Sequence, residues 1–412
     1  MKYIIILGDG MADYPVEELQ GKTPLMVARK PGMDDIARQG RCGVFHTIEP
    51  GMAKGSAVAN LTVLGYDPRT DYRGRGVLEA ASLGVALKPD QLVFRVNLIS
   101  VLAGKIKSHS TGHISNEEAY ELISFLEKEF DPRNLRLFPG LGYRHVLVLP
   151  GGSPEVECAP PHDYLDTPIS TLLVREKIPE ARPVAQLMNR MIRESNKLLE
   201  NHPINIERRR KGQLPANYLW PWSPGKKAQM KTFREKFGIR GAVISAVDLI
   251  KGIGVCAGMT VIQVRGATGL YDTNYEGKAD AALRALQDHD LVYIHVEAPD
   301  EAGHEKNPAL KIKCIEDLDQ RLIQRIFNGI VGKENETVIA LLPDHATPVS
   351  CGAHTRDPVP VAIMDPHQSP DRVYTYDEDS ARGGILGIIR DSQFMKTLLG
   401  NRHSQNAKFN MK

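Results

Sequence analysis

Leu291-Val292-Tyr293-Ile294-His295-Val296 is a short, β-branched apolar run that leads into Asp300, with His304 four residues beyond it. Runs of this length and composition read as buried strands of a parallel sheet. Two other stretches carry the same pattern. Ile4-Ile5-Ile6-Leu7 leads into Gly8-Asp9-Gly10, and Val338-Ile339-Ala340-Leu341-Leu342 leads into Asp344-His345, with His354 following in Gly352-Ala353-His354. Ligands of open α/β sheets bind beyond the carboxyl ends of the strands. Asp9, Asp300, His304, Asp344, His345 and His354 therefore have a common place to meet. Any one of them alone would read as a surface or capping residue. Together, at three strand ends, they predict a metal site, and a double one.

Length and composition set the frame. At 412 residues the chain is long enough for two domains, on a prior of roughly 100–200 residues each. Its 42% apolar and 25% charged residues are ordinary for a globular enzyme. A net charge of +2 makes no electrostatic case for nucleic acid or an anionic membrane. The longest apolar stretches fall far short of the roughly 20 residues that cross a bilayer. The first run is only strand-length and carries no cleavage-site pattern, so no signal peptide is expected. Cys42, Cys158, Cys256, Cys314 and Cys351 are scattered without a Cys-x-x-Cys. That usage fits a reducing compartment, and a cytoplasmic location is the expectation.

Strands alternate with helical stretches along much of the chain. Helices are expected over Met33–Gln39, Asn116–Phe130, Ala279–Leu286 and Ala309–Gly329. Ser115 and Glu118 form a capping-box pair for the second of these. This alternation predicts an α/β sheet with helices on both faces. The middle differs, with short alternating strands such as Val93–Ile99 and His145–Leu149, then a segment rich in proline and glycine. Ala216–Gly225, with Pro221, Pro224 and both tryptophans, reads as a return linker. The expected organisation is a discontinuous catalytic domain, 1–90 with 216–412, and an inserted α+β domain, 91–215.

Oxygen and imidazole donors suit Mn²⁺, Mg²⁺ or Zn²⁺, and the scarcity of cysteine argues against a structural zinc. Adjacent residues such as Asp344 and His345 face apart unless the backbone bends, so they suit two neighbouring ions. Paired ions are a usual device for phosphoryl transfer, because they stabilise attacking and leaving oxygens together. A nucleophile is also legible. In Lys54-Gly55-Ser56-Ala57-Val58 a glycine and a serine precede a helix-forming run. Ser56 would stand at a helix N-terminus, where backbone N–H groups favour phosphate. Alone this is an ordinary cap; beside metal ligands it reads as a candidate nucleophile.

Longer motifs then carry a resemblance. Asp9-Gly10-Met11, Gly21-Lys22-Thr23-Pro24-Leu25, Gly55-Ser56 through Leu64-Gly65-Tyr66-Asp67-Pro68 and Gly74-Arg75-Gly76 are its N-terminal part. Asp300-Glu301-Ala302-Gly303-His304, Pro343-Asp344-His345 and His354-Thr355-Arg356-Asp357-Pro358-Val359-Pro360 are its C-terminal part. Over nearly its whole length the chain resembles the archaeal-type 2,3-bisphosphoglycerate-independent phosphoglycerate mutases of the alkaline phosphatase superfamily. The resemblance implies an alkaline-phosphatase-like sheet core and an isomerase of glycolysis and gluconeogenesis. It implies one metal held by Asp300, His304 and His354, and another by Asp9, Ser56, Asp344 and His345. Mn²⁺ is foremost, with Mg²⁺ or Zn²⁺ as alternatives, and no 2,3-bisphosphoglycerate is required. Ser56 would become a phosphoserine on the way between 3- and 2-phosphoglycerate, with the inserted domain closing over a small phosphorylated metabolite.

One departure concerns the acceptor. A mutase grips phosphate and carboxylate with arginines, yet Ser108-His109-Ser110-Thr111-Gly112-His113-Ile114-Ser115 has none. That wording is similar to a sub-branch proposed to phosphorylate homoserine, so a homoserine kinase-like phosphotransferase is the alternative, and a metal-dependent phosphatase the third. Arg73, Arg75, Arg95, Arg144, Arg265 and His113 are the candidate substrate contacts. Other motifs are set aside. Gly21-Lys22-Thr23 lacks the upstream glycine of a P-loop. Gly252-Ile253-Gly254-Val255-Cys256-Ala257 lacks a clear preceding strand and a following acid. Arg208-Arg209-Arg210-Lys211 reads as a solvated face.

Overall fold

The computed structural model describes residues 1–130, 135–227 and 230–400, and the chain divides into two compact units: Met1–Tyr72 with Met230–Lys412, and Arg73–Gln229. The second unit is wider than the expected 91–215. Helix Arg75–Ser82 and strand Tyr218–Lys226 both pack on strand Leu92–Leu102, which ties them to the insert.

In the first unit an eight-stranded sheet runs Thr260–Val261, Gly241–Ile244, Leu291–Val296, Lys2–Gly8, Thr337–Leu342, Val359–Met364, Arg41–His46 and Gly387–Arg390. The three ligand-bearing runs lie side by side at its centre. Lys2–Gly8 pairs in parallel with both Leu291–Val296 and Thr337–Leu342, so Ile4 stands between Val292 and Ile339. Ile4 and Ile6 join a cluster with Met33, Ile36, Ala282, Leu318 and Leu322 on one face. Tyr3, Ile5 and Leu7, on the other, are fully buried as well. Burial on both faces is why these runs are apolar throughout. The sheet is mixed, however, rather than parallel: Val359–Met364 runs antiparallel to both of its neighbours. Residues 343–358 contain no crossover helix and simply turn the chain back.

The expected helices appear with small shifts, as Pro31–Arg38, Asn116–Glu129 and Tyr275–Asp288. Ser115 and Glu118 make the full capping box. The long C-terminal helix is interrupted. Pro308–Asp317 passes into a π-helical turn, Leu318–Ile323, before Gln324–Gly329. Asp319 in that turn accepts from the Gly32 and Met33 amides, meeting orphan donors at the start of helix Pro31–Arg38. The Gly252–Ala257 motif does have a strand before it, Gly241–Ile244, but both glycines sit inside helix Asp248–Cys256. Gly254 is there for packing, since an added Cβ would lie 2.4 Å from Val243.

The second unit carries an antiparallel sheet. Leu92–Leu102 is central, paired with Lys105–Ser108, Arg144–Leu149 and Tyr218–Lys226, and Arg136–Phe138 extends it. Helices Asn116–Glu129 and Arg182–Leu199 bury Leu122, Leu126, Met188 and Ile192 against Phe94, Val96 and Trp220. The return linker is thus a strand. Among the described residues it is paired only on the Leu92–Leu102 side, and an edge position tolerates Pro221 and Pro224 because no second ladder there needs an N–H from them. Nor is the basic run simply solvated. Arg208 is buried and donates to Thr111 O, Leu214 O and Glu118, while Arg209 and Arg210 pair with Glu200 and Glu207. Among the described residues no helix is long and apolar enough to cross a membrane.

Candidate active site

Each strand end delivers its polar residue to the same edge of the sheet. Asp300 lies in helix Ala298–His304, directly after Leu291–Val296. His304 Nε2 stands 3.1 Å from Asp300 Oδ2, His354 Nε2 stands 3.5 Å from Asp300 Oδ1, and the two imidazole nitrogens are 3.0 Å apart. His304 Nδ1 meets Gly352 O at 2.9 Å, which leaves Nε2 for the cluster. Thr347 Oγ1 donates to Asp300 Oδ1 and fixes the carboxylate.

The second group forms around Asp9. His345 Nε2 is 3.4 Å from Asp9 Oδ1, 3.5 Å from Asp344 Oδ2 and 3.2 Å from Ser56 Oγ. Asp344 and His345 do not face apart. The chain bends after Leu342, the His345 amide donates to Asp344 Oδ1, and both side chains are fully buried. Ser56 is the first residue of helix Ser56–Val63, entered through Gly55 at φ +139°. Asn60, one turn on, donates to Ser56 O and to Asp344 Oδ2 and accepts from the Tyr293 hydroxyl. One amide thus locks the serine helix to the carboxylate.

Concentrating three carboxylates here has an electrostatic consequence. Burial, reinforced by Asp344 and Asp300, holds the Asp9 carboxyl well above the usual range. Burial would raise Asp300 too, but hydrogen bonds from His304 and His354 hold it well below. Asp300 in turn lifts His304 to about 9. Burial lowers His345.

These residues fit divalent cations. Three sets, Asp300/His304/His354, Asp9/Asp300/His345 and Asp9/His295/Asp344, each bring one donor atom per residue within 4.8 Å of the others. An ion about 2.0–2.2 Å from nitrogen and oxygen donors needs them at such separations. Asp9 Oδ1, though buried, lacks any hydrogen-bond partner among the described residues. His295, Asn60, Tyr293 and Thr347 were not singled out from sequence. His295 sits inside an apolar strand, and the others gain meaning only from their neighbours in space.

The second unit gathers some of the expected substrate contacts and leaves others out. Arg95 is buried, with Nη1 2.5 Å from Glu79 Oε1 and Nε donating to Asn97 Oδ1. Arg75 pairs with the same Glu79. Trp222 lies beneath Arg95, donates to Asn97 and meets the His162 ring edge-on. Arg144 enters beside them, opposite Asn97, with its Nε buried and unpartnered among the described residues. Arg73 and His113 are exposed, and Arg265 is exposed in the other unit.

Fold and site together define an α/β protein with a serine set among buried Asp and His side chains. A family model described as 2,3-bisphosphoglycerate-independent phosphoglycerate mutase matches residues 37–205. The chain is similar to the mutase of that name from Methanosarcina acetivorans, 47% identical over 97% of this chain and 100% of its relative. It is 46% identical to a Geobacter sulfurreducens relative named as a probable enzyme of the same kind, with 97% and 100% covered. Among solved structures, a protein of Pyrococcus horikoshii aligns at a TM-score of 0.83 and 32% identity, over 97% of this chain and 96% of that one. The cofactor-independent phosphoglycerate mutase of Thermoplasma acidophilum aligns at 0.67 and 29%, covering 97% and 99%. The chain belongs to the 2,3-bisphosphoglycerate-independent phosphoglycerate mutase family.

Proposed function

We propose that this protein interconverts 3- and 2-phosphoglycerate through a phosphoserine at Ser56, as a cytoplasmic isomerase. The observation that carries the reading is Ser56 Oγ, 3.2 Å from His345 Nε2 at the start of a helix and against the buried Asp/His cluster. Asp300, His304 and His354 would hold one divalent cation, and Asp9, Ser56, Asp344 and His345 the other. When bound, such cations neutralise charge on the transferring phosphoryl group and favour the ionised serine. Mn²⁺ is the expected resident, with Mg²⁺ and Zn²⁺ as the alternatives.

The chain's own residues do the rest. Ser56 Oγ forms a bond to phosphorus as the bond from phosphorus to the substrate oxygen breaks, and the released hydroxyl takes up a proton. Free amides at the N-terminus of helix Ser56–Val63 favour the negative charge on the phosphoryl oxygens. Glycerate reorients, and its other hydroxyl takes the group back. Donor and acceptor are one molecule, so no nucleotide is needed. The arginines read as candidate grips for phosphate and carboxylate, Arg75, Arg95 and Arg144, lie outside Ser108–Ser115, two of them paired with Glu79.

Purified protein with Mn²⁺ and 3-phosphoglycerate should form 2-phosphoglycerate with no added donor, followed by ³¹P NMR. Ser56→Ala should abolish conversion while retaining the fold, and a chelator should abolish it reversibly. O-phosphohomoserine formed only from homoserine and ATP, or phosphate release alone, would overturn the mutase reading.

A further inference from the structure

We propose that His295 is a further metal ligand, binding a divalent cation through Nε2 together with Asp9 and Asp344. The inference rests on the reading that Asp9 and Asp344 hold a cation, and adds a donor that the sequence motifs do not contain.

His295 is the fifth residue of strand Leu291–Val296 and pairs in register with Leu7, two residues before Asp9. Its imidazole is fully buried, and Asp9 is 2% exposed. His295 Nε2 lies 3.0 Å from Asp9 Oδ2, yet it makes no hydrogen bond to it or to any other described residue. Asp9 Oδ1 is likewise without a partner. An ordinary buried His–Asp pair would align one N–H on one carboxylate oxygen. Here His295 Nε2 stands beside the Asp9 carboxylate unsatisfied, and one donor atom from each of Asp9, His295 and Asp344 lies within 4.8 Å of the others. A buried polar atom left unpaired is costly, and a cation between these three side chains relieves that cost.

The other side of the ring is arranged for that role. His295 Nδ1 is 3.3 Å from Ser245 Oγ, and Ser245 Oγ accepts from the Val247 amide at 3.0 Å. The hydroxyl oxygen has a second lone pair, which can accept from an Nδ1–H. That tautomer leaves the Nε2 lone pair outward, the arrangement usual for metal-ligating histidines. Lys278 Nζ holds the backbone carbonyl of His295 at 3.0 Å, so the strand end is anchored as well. An imidazole among carboxylates shifts selectivity from Mg²⁺ towards Mn²⁺, Co²⁺ or Zn²⁺.

The test measures metal, independently of turnover. Apoprotein is titrated with Mn²⁺ followed by EPR, and with Co²⁺ followed by its visible absorption, for the wild type, His295→Asn and Ser245→Ala. Asn keeps a polar group near Ser245 but removes the Nε2 position. His295→Asn should lose one equivalent or weaken one class of site at least tenfold, alter the Co²⁺ spectrum and narrow the gap between Mn²⁺ and Mg²⁺ affinity. Ser245→Ala, which keeps the ring, should weaken the same class by a smaller factor. Circular dichroism checks that each variant folds, and if His295→Asn does not, Ser245→Ala decides by the same readout. Unchanged equivalents, affinities and Co²⁺ spectrum in the folded variants would overturn the role of His295 while leaving the mutase reading intact. A wild type that binds no divalent cation would overturn both.

Discussion

Arg95 lies over the indole of Trp222, its Cζ 4.8 Å from the ring centroid, while Glu79 holds one arm of the guanidinium. Stacking and pairing fix a planar group that lysine cannot reproduce. Arg95→Lys should raise KM for 3-phosphoglycerate at least tenfold in steady-state kinetics. Arg95→Met should in addition lower unfolding free energy by about 3–5 kcal/mol, because Glu79 is left buried with a weakened partner set. Urea melts measure the second effect. An unchanged KM in Arg95→Lys would remove this residue from the substrate site.

Asn60 joins three functional elements through one side chain. Asn60→Ala leaves Asp344 Oδ2 without its amide donor and the Tyr293 hydroxyl without its acceptor. Metal affinity should fall about 10–100-fold, the usual effect of losing a partner of a ligand. Equilibrium dialysis against Mn²⁺ is the check.

Gly10 has φ +58°, and a Cβ there would lie 2.3 Å from Asp300 Oδ1 and 2.8 Å from the Asp300 Cα. Gly10→Ala should therefore displace Asp300 and cost activity far more than stability. Turnover is expected to drop at least 100-fold, with a loss of about 1–3 kcal/mol in a thermal or urea melt for the strained conformation. A variant of normal turnover would mean that the Asp300 position is not critical.

Burial raises the Glu378 carboxyl to about 7, although Thr23 and the Asp13 amide bond to it. A carboxyl whose pKa is raised in the folded state contributes stability that is fully present below its ordinary value of 4.5. That contribution is lost as pH rises through about 7. Glu378→Gln should flatten this part of the profile and melt higher than wild type at pH 8. Parallel pH profiles in urea would contradict it.

The parts of this molecule legible in its sequence are those with one-dimensional signatures. Apolar runs ending in Asp9, Asp300 and Asp344 mark the central strands, because burial on both faces forbids polar residues within them. Ser115 and Glu118 mark a helix start because their bonds are local. Tyr218–Lys226 was hidden by two prolines whose tolerance depends on a missing neighbour, an edge property that only the assembled sheet reveals. His295 was hidden for the opposite reason, since inside a strand it resembles core. Asp319, Asn60 and Thr347 act across 47 or more residues of chain, and no spacing announces such partners.

The central position of Lys2–Gly8 bears on how this protein is made. That strand is synthesised well before both of its partners, Leu291–Val296 and Thr337–Leu342. At about 5–20 residues per second the wait for the first of them is about 15–60 s. Throughout it Ile4-Ile5-Ile6-Leu7 has two unpaired edges. The 73–229 unit, by contrast, is completed as one contiguous piece of chain during that interval. Biogenesis therefore runs inside out: the insert is available to fold before the catalytic sheet can close around strand Lys2–Gly8.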